Sequence, residues 1–221
     1  MPKVPSSRSR PNRMRRPPAP RLPALDMARL SGEQQALVEA ISSGPRGKFV
    51  NEGPFAVYLH APAFGKLAQQ LGGYLRFGTS VPPRLSEFAI LCTGRYWKAQ
   101  YEWAAHAPIA AEQGVKEKTI RDLQAGRMPK SAPRDEKAIY AFVKELYATR
   151  RVSNAAYARV HKFLGDAGMV ELVGILSYYV LISMTLNVFR MPLPQGTPAP
   201  FREPGFIATA ANVARMAKMG V

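Results

Sequence analysis

Cysteine and histidine are nearly missing from this chain of 221 residues: it has one Cys and three His. Cys92 has no partner for an intramolecular disulfide, and one Cys with three scattered His gives no zinc-ligand spacing. A reducing, cytoplasmic setting follows as the expectation, with no metal and no cofactor. Acids are scarce too, 15 Asp and Glu against 31 Lys and Arg, for a formal charge of +16. No stretch of useful length alternates apolar and polar residues as a half-buried strand does. The chain therefore reads as all-α.

The excess positive charge is unevenly placed. Residues 1–25 hold Lys3, Arg8, Arg10, Arg13, Arg15, Arg16 and Arg21 with no acid, together with Pro2, Pro5, Pro11, Pro17, Pro18, Pro20 and Pro23. Such a segment has too few apolar residues to pack and too many prolines to coil, so it is expected to be a disordered tail. A tail of this charge can touch nucleic acid or an anionic membrane surface, but a solvated extension is the expected role. No apolar run follows the Arg15-Arg16 pair, which argues against an export signal. The division expected is a tail over 1–25, a helical domain over 26–195, and an extension over 196–221 with a short helix near 208–219.

One run needs a membrane test. Leu172 to Phe189 carries no charge, at the lower edge of spanning length. Ser177, Ser183, Thr185 and Asn187 interrupt it, and Glu171 and Arg190 bound it. A helix apolar on most sides suits the centre of a helical bundle equally well, so a buried helix is expected and a transmembrane segment is not.

Helical signals recur along the rest. Ser31 and Gln34 stand in capping-box spacing ahead of an apolar run to Ile41. The turn-rich loop from Gly44-Pro45-Arg46-Gly47 to Asn51-Glu52-Gly53-Pro54-Phe55 follows, either as a plain connection or as a wall over a site. Pro62 suits the first position of a helix to Arg76, and further helices are predicted over 84–96, 98–113, 117–125, 134–150, 153–164 and 169–190. Within 98–113, Pro108 lacks an amide hydrogen and crowds the carbonyl of Ala104, which is expected to loosen that turn.

The stretch from Leu85 to Gly114 reads like a site. It carries Glu87 inside an apolar run, then Glu102 and His106 four residues apart. On a helix that spacing puts both side chains on one face, where they can share a proton. Pairs at this spacing are also common surface stabilisers. The aromatics Tyr96, Trp97, Tyr101 and Trp103 crowd the pair, either as pocket walls or as ordinary core. Glu87 needs a partner if buried, and Arg84 or Arg95 is the candidate cation. His60 is more economically read as a packing residue, with a substrate contact as the alternative.

These segments resemble the carboxymuconolactone decarboxylase family, related to the alkyl hydroperoxidase D-like proteins. The resemblance runs through the GPRG loop, GPF, LHAP, LRFGTSVPPRLSEFAIL, YEWAAH, ELVGILSYYV and LNVF, over roughly residues 30 to 195. It implies an all-helical homo-oligomer, trimeric or hexameric, acting on a small organic acid. In the peroxidase branch a Glu precedes a C-x-x-C-x-x-x-H motif. With His106 on the motif's His, Glu87 falls on its Glu, while Ala99 and Glu102 stand where the two thiols belong. A dithiol cycle needs both sulfurs.

The decarboxylase branch also lacks them. The resemblance then makes His106 an acid, Glu102 or Glu87 its base or orienter, and Arg84 or Arg95 a holder of substrate carboxylate; Trp97, Trp103 and His60 are candidate substrate contacts read from the residues alone. Three readings stay open: a cofactor-free lyase or isomerase, a peroxidase-like reductant relay, and a non-catalytic helical oligomer whose basic tail binds an anionic partner.

Overall fold

The chain folds as helices at the places where its apolar periodicity and caps put them, and among the described residues there is no strand. The structure is a computed structural model that describes residues 19–201. The helices are α1 (Gly32–Ser42), α2 (Gly53–Tyr58), α3 (Pro62–Phe77), α4 (Pro83–Tyr96), α5 (Gln100–Glu112), α6 (Glu117–Gln124), α7 (Arg134–Thr149) and α8 (Asn154–Phe189). The short helix expected near 208–219 and residues 1–18 of the basic tail lie outside the described residues.

Local chemistry accounts for the boundaries. Ser31 accepts from the Gln34 amide while the Gln34 side chain accepts from the Ser31 amide, closing the capping box at α1. Prolines occupy the first helical positions of α3 and α4, where an amide hydrogen has no partner to lose. The helix α5 keeps its course through Pro108 to Glu112, so the turn expected to loosen there does not end the element. The break expected between 165 and 168 occurs at Gly165, whose left-handed φ of 65° separates two helical runs of α8.

Every residue of α4 from Leu85 to Gly94 is buried. This helix is the centre of the bundle, packed against α5, α6, α7 and α8. Phe88, Ile90 and Leu91 meet Ile139 and Phe142 from α7 and Leu172 and Ile175 from α8 in one core. The apolar run of α8 thus serves largely as a core helix, although it is also long and apolar enough, at a mean hydropathy of 1.8 with half of that window buried, to cross a membrane.

Both flanks of the helical region dock on it. The Arg21 amide donates to the Phe189 carbonyl and its guanidinium to that of Val188, capping the end of α8. Phe201 is buried edge-on against Trp103, under the Arg95 guanidinium, and exchanges two hydrogen bonds with the Gln100 side chain.

Candidate active site

Three side chains from two helices converge at one buried point. Glu87 comes from the middle of α4, and Glu102 and His106 come from successive turns of α5. They are 5, 3 and 6 % exposed. His106 Nδ1 lies 2.6 Å from Glu87 Oε2, and Nε2 lies 3.1 Å from Glu102 Oε1. The first contact is a short, charge-assisted hydrogen bond. The second has the distance of an ion pair without hydrogen-bond alignment, which leaves Glu102 Oε1 unsatisfied among buried polar atoms.

The electrostatics follow from this sandwich. Burial works against a charge on His106, but the Glu102 carboxylate beside it and the Glu87 contact outweigh burial and push its pKa up to about 9. The raised pKa favours the imidazolium form of the ring. Tyr179 of α8 packs edge-on against it at 5.1 Å, fixing the plane of the ring.

Glu102 and His106 open onto a cavity of about 230 Å³, while Glu87 stands behind the ring and away from the cavity wall. The wall opposite is the loop between α1 and α2, through Arg46, Lys48, Phe49, Val50 and Glu52, continued by Pro54 and Phe55. That loop is held in place by Gly53, which combines a left-handed φ of 58° with a Tyr101 ring so close that a Cβ would meet it at 2.5 Å. Of the two roles open to the GPRG loop, the wall is the one the geometry shows.

The other residues proposed from the sequence lie elsewhere. Arg84 is turned toward the start of α7, where it pairs with Asp135 and Glu136; the buried Glu136 carboxylate demands a cation there. Arg95 is engaged by the Gln124 carbonyl and the Phe201 ring. Neither pairs with Glu87, whose partner is His106. Trp103 is core against Phe201, and Trp97 caps the end of α4 beside Tyr96. His60 is exposed in the turn between α2 and α3. None of these five lines the cavity, whereas Tyr101 does.

Sequence reasoning missed Arg46, Arg76, Tyr178 and Tyr179 as cavity residues. A signal for the tyrosines was present, because two adjacent phenols in an otherwise apolar run carry polar tips that a buried helix must aim at something. Among the described residues no group of three or more His, Cys, Asp or Glu is arranged to hold a metal ion. Cys92 is buried in the core, and burial pushes its thiol far above the usual range.

The helical bundle is all-α and of the alkyl hydroperoxidase D-like fold. That fold is shared with a protein of unknown function from Agrobacterium tumefaciens described as a candidate antioxidant defence protein, AhpD. The match has a TM-score of 0.58 at 14% sequence identity and covers 65% of this chain and 99% of the other. No family model matches the chain. No curated protein matches it either.

Proposed function

We propose that the chain is a carboxymuconolactone decarboxylase-like enzyme, carrying out proton-transfer chemistry, decarboxylation or isomerisation, on a small cyclic organic acid. The observation that carries this reading is the Glu87–His106–Glu102 array, buried and opening onto a cavity at Glu102 and His106. In a decarboxylation the bond from ring carbon to carboxylate breaks, carbon dioxide leaves, and the electron pair moves into the conjugated carbonyl. The proton on His106 Nε2, the ring nitrogen on the Glu102 side, then adds to carbon. In an isomerisation Glu102 Oε1, whose lone pairs are unclaimed, takes the proton from one carbon and the imidazolium returns one to another. Glu87 holds Nδ1 and keeps the ring charged and oriented.

The fold likeness is equally compatible with peroxidase-like thiol chemistry. Within this chain the donor set favours acid–base work, because its single thiol is buried and protonated and Ala99 and Glu102 occupy the positions of the motif's sulfurs.

The test is a panel of unsaturated five- and six-membered lactone acids, followed by carbon dioxide release and by deuterium incorporation from heavy water in NMR spectra. His106→Gln and Glu102→Gln are expected to lower turnover by roughly 10²- to 10⁴-fold, and Cys92→Ser to leave it unchanged. Full turnover by His106→Gln would sink the reading. Peroxide reduction that vanishes in Cys92→Ser would replace it with the thiol one.

A further inference from the structure

The proposed reaction leaves one charge without a host. When the bond to carbon dioxide breaks, or when Glu102 takes a proton from carbon, the electron pair ends on the substrate's carbonyl oxygen. That oxygen needs a hydrogen-bond donor aimed at it. In the proposed steps His106 Nε2 serves the carbon, and Glu87 holds Nδ1. The donor has to come from elsewhere on the cavity wall.

Phenols are the candidates, since Tyr101, Tyr178 and Tyr179 all line the cavity. Their hydroxyls face different ways. A Cβ built on Gly72 of α3 would meet Tyr178 Oη at 2.1 Å and Arg46 Nη2 at 2.6 Å, so both groups turn to the α3 backbone, where they are shut off from solvent. Tyr101 lies on the backbone of Gly53, with Oη 2.8 Å from the point a Cβ there would take.

Tyr179 follows Tyr178 on α8, about 100° further round the helix. That rotation carries its ring to α5, where it stands edge-on to His106 at 5.1 Å between centroids. The residue is only 3 % exposed, yet among the described residues its hydroxyl has no hydrogen-bond partner and is not one of the polar atoms closed to solvent. The space it reaches is the cavity it lines. Burial, and after it the Glu102 carboxylate, push this phenol well above its usual range, so it stays protonated and able to donate.

We propose that Tyr179 is a catalytic residue whose hydroxyl donates a hydrogen bond to the substrate's carbonyl oxygen as that oxygen gains negative charge. This deepens the proton-transfer reading and rests on it for the reaction; a site for the oxygen anion of a one-ring ligand does not depend on it. Tyr179 keeps its own proton throughout. When His106 Nε2 protonates carbon, the pair returns from oxygen to form the carbon–hydrogen bond and the carbonyl is restored. In the decarboxylation the imidazole then recovers a proton from water.

Spectrophotometric titration of the full-length protein with para-nitrophenol tests it. The probe has one ring, which a cavity of about 230 Å³ admits, and its coloured phenolate bears its charge on the same kind of oxygen as an enolate. Equilibrium dialysis with para-nitrotoluene is the neutral match. Below the probe's own pKa, the wild-type protein is expected to bind it as phenolate. Tyr179→Phe, which keeps the ring against His106, should weaken phenolate by roughly 10- to 100-fold and nitrotoluene by less than about 3-fold. Tyr58→Phe removes an equally buried hydroxyl outside the cavity and should change neither. On a lactone acid that is turned over, Tyr179→Phe should lower kcat by roughly 10²- to 10³-fold with KM nearly unchanged.

A wild-type protein that binds no phenolate, or phenolate bound as tightly by Tyr179→Phe, overturns the proposal. Equal loss of phenolate and nitrotoluene reduces Tyr179 to a packing ring and overturns it too. So does loss in Tyr101→Phe with Tyr179→Phe unaffected, which moves the donor to the loop side of the cavity. Tyr179-dependent phenolate binding in a protein that turns over no lactone acid leaves the oxygen site standing and removes the proposed reaction. His106-dependent turnover with kcat unchanged in Tyr179→Phe does the reverse.

Discussion

Glu102 and Glu87 raise the pKa of His106, and that ties stability to pH. Glu87 from α4 and Glu102 from α5 face the ring, with the neutral Tyr179 of α8 edge-on. Its pKa stands at about 9 in the folded chain against an ordinary 6.5. A raised pKa stabilises the fold fully below 6.5, and that contribution is lost as pH climbs through 9; it amounts to a few kcal/mol. Urea midpoints between pH 6 and 10 are expected to fall mainly across that interval. In the double variant Glu87→Gln, Glu102→Gln the imidazole loses both counter-charges, and the fall across that interval should disappear.

Glu87, Glu102 and His106 were legible in the sequence because a one-turn spacing and an isolated carboxylate in an apolar helix are local facts. Arg46 and Tyr178 were not, since they are more than a hundred positions apart and only the packing of α3 between them makes them neighbours. The choice of Arg84 and Arg95 failed for a related reason. Proximity in sequence to Glu87 says nothing of the acids on α7 or the carbonyl at the end of α6 that claim those guanidinium groups.

At the scale of elements, periodicity and caps located the helices to within a few residues, and the opening box at Ser31 is seen as read. The docking of residues 196–201 was illegible, because a Pro-rich segment has no period and its one buried side chain finds its place only against α5. Phe201 fills a slot between Trp103 and Arg95. Phe201→Ala is expected to cost about 3 kcal/mol, at the low end for a buried aromatic because a chain flank can relax. Denaturant unfolding measures the loss, and a red shift of tryptophan emission would report water reaching Trp103. An unchanged midpoint would mean that this flank adds nothing to the fold.

Over the whole molecule, the surface is less polar than the charge suggests. Phe64, Leu67, Leu71 and Tyr74 make an exposed stripe along α3, and Val170, Val173, Met184 and Val188 make another along α8, with the two helices packed together. Glu171, set in this region, accepts hydrogen bonds at the surface from the Tyr74 hydroxyl and from the Ser80 amide and hydroxyl. Exposed apolar stripes suit a contact surface, and we propose a second copy of the chain as the occupant, following the homo-oligomer that the family resemblance implies. Sedimentation velocity should then give an integral multiple of the chain mass, and Leu67→Glu with Val173→Glu should return the monomer; a wild-type monomer would refute the assignment.

The burial of Cys92 turns the lone thiol into a clock. It is 7 % exposed on α4, the helix every neighbouring layer packs against. An alkylating reagent reaches it only when the bundle opens, so the labelling rate in native buffer, divided by the rate in urea, reads out the opening free energy of the bundle's centre. The natural chain therefore carries its own single-site probe of breathing, with no engineered label.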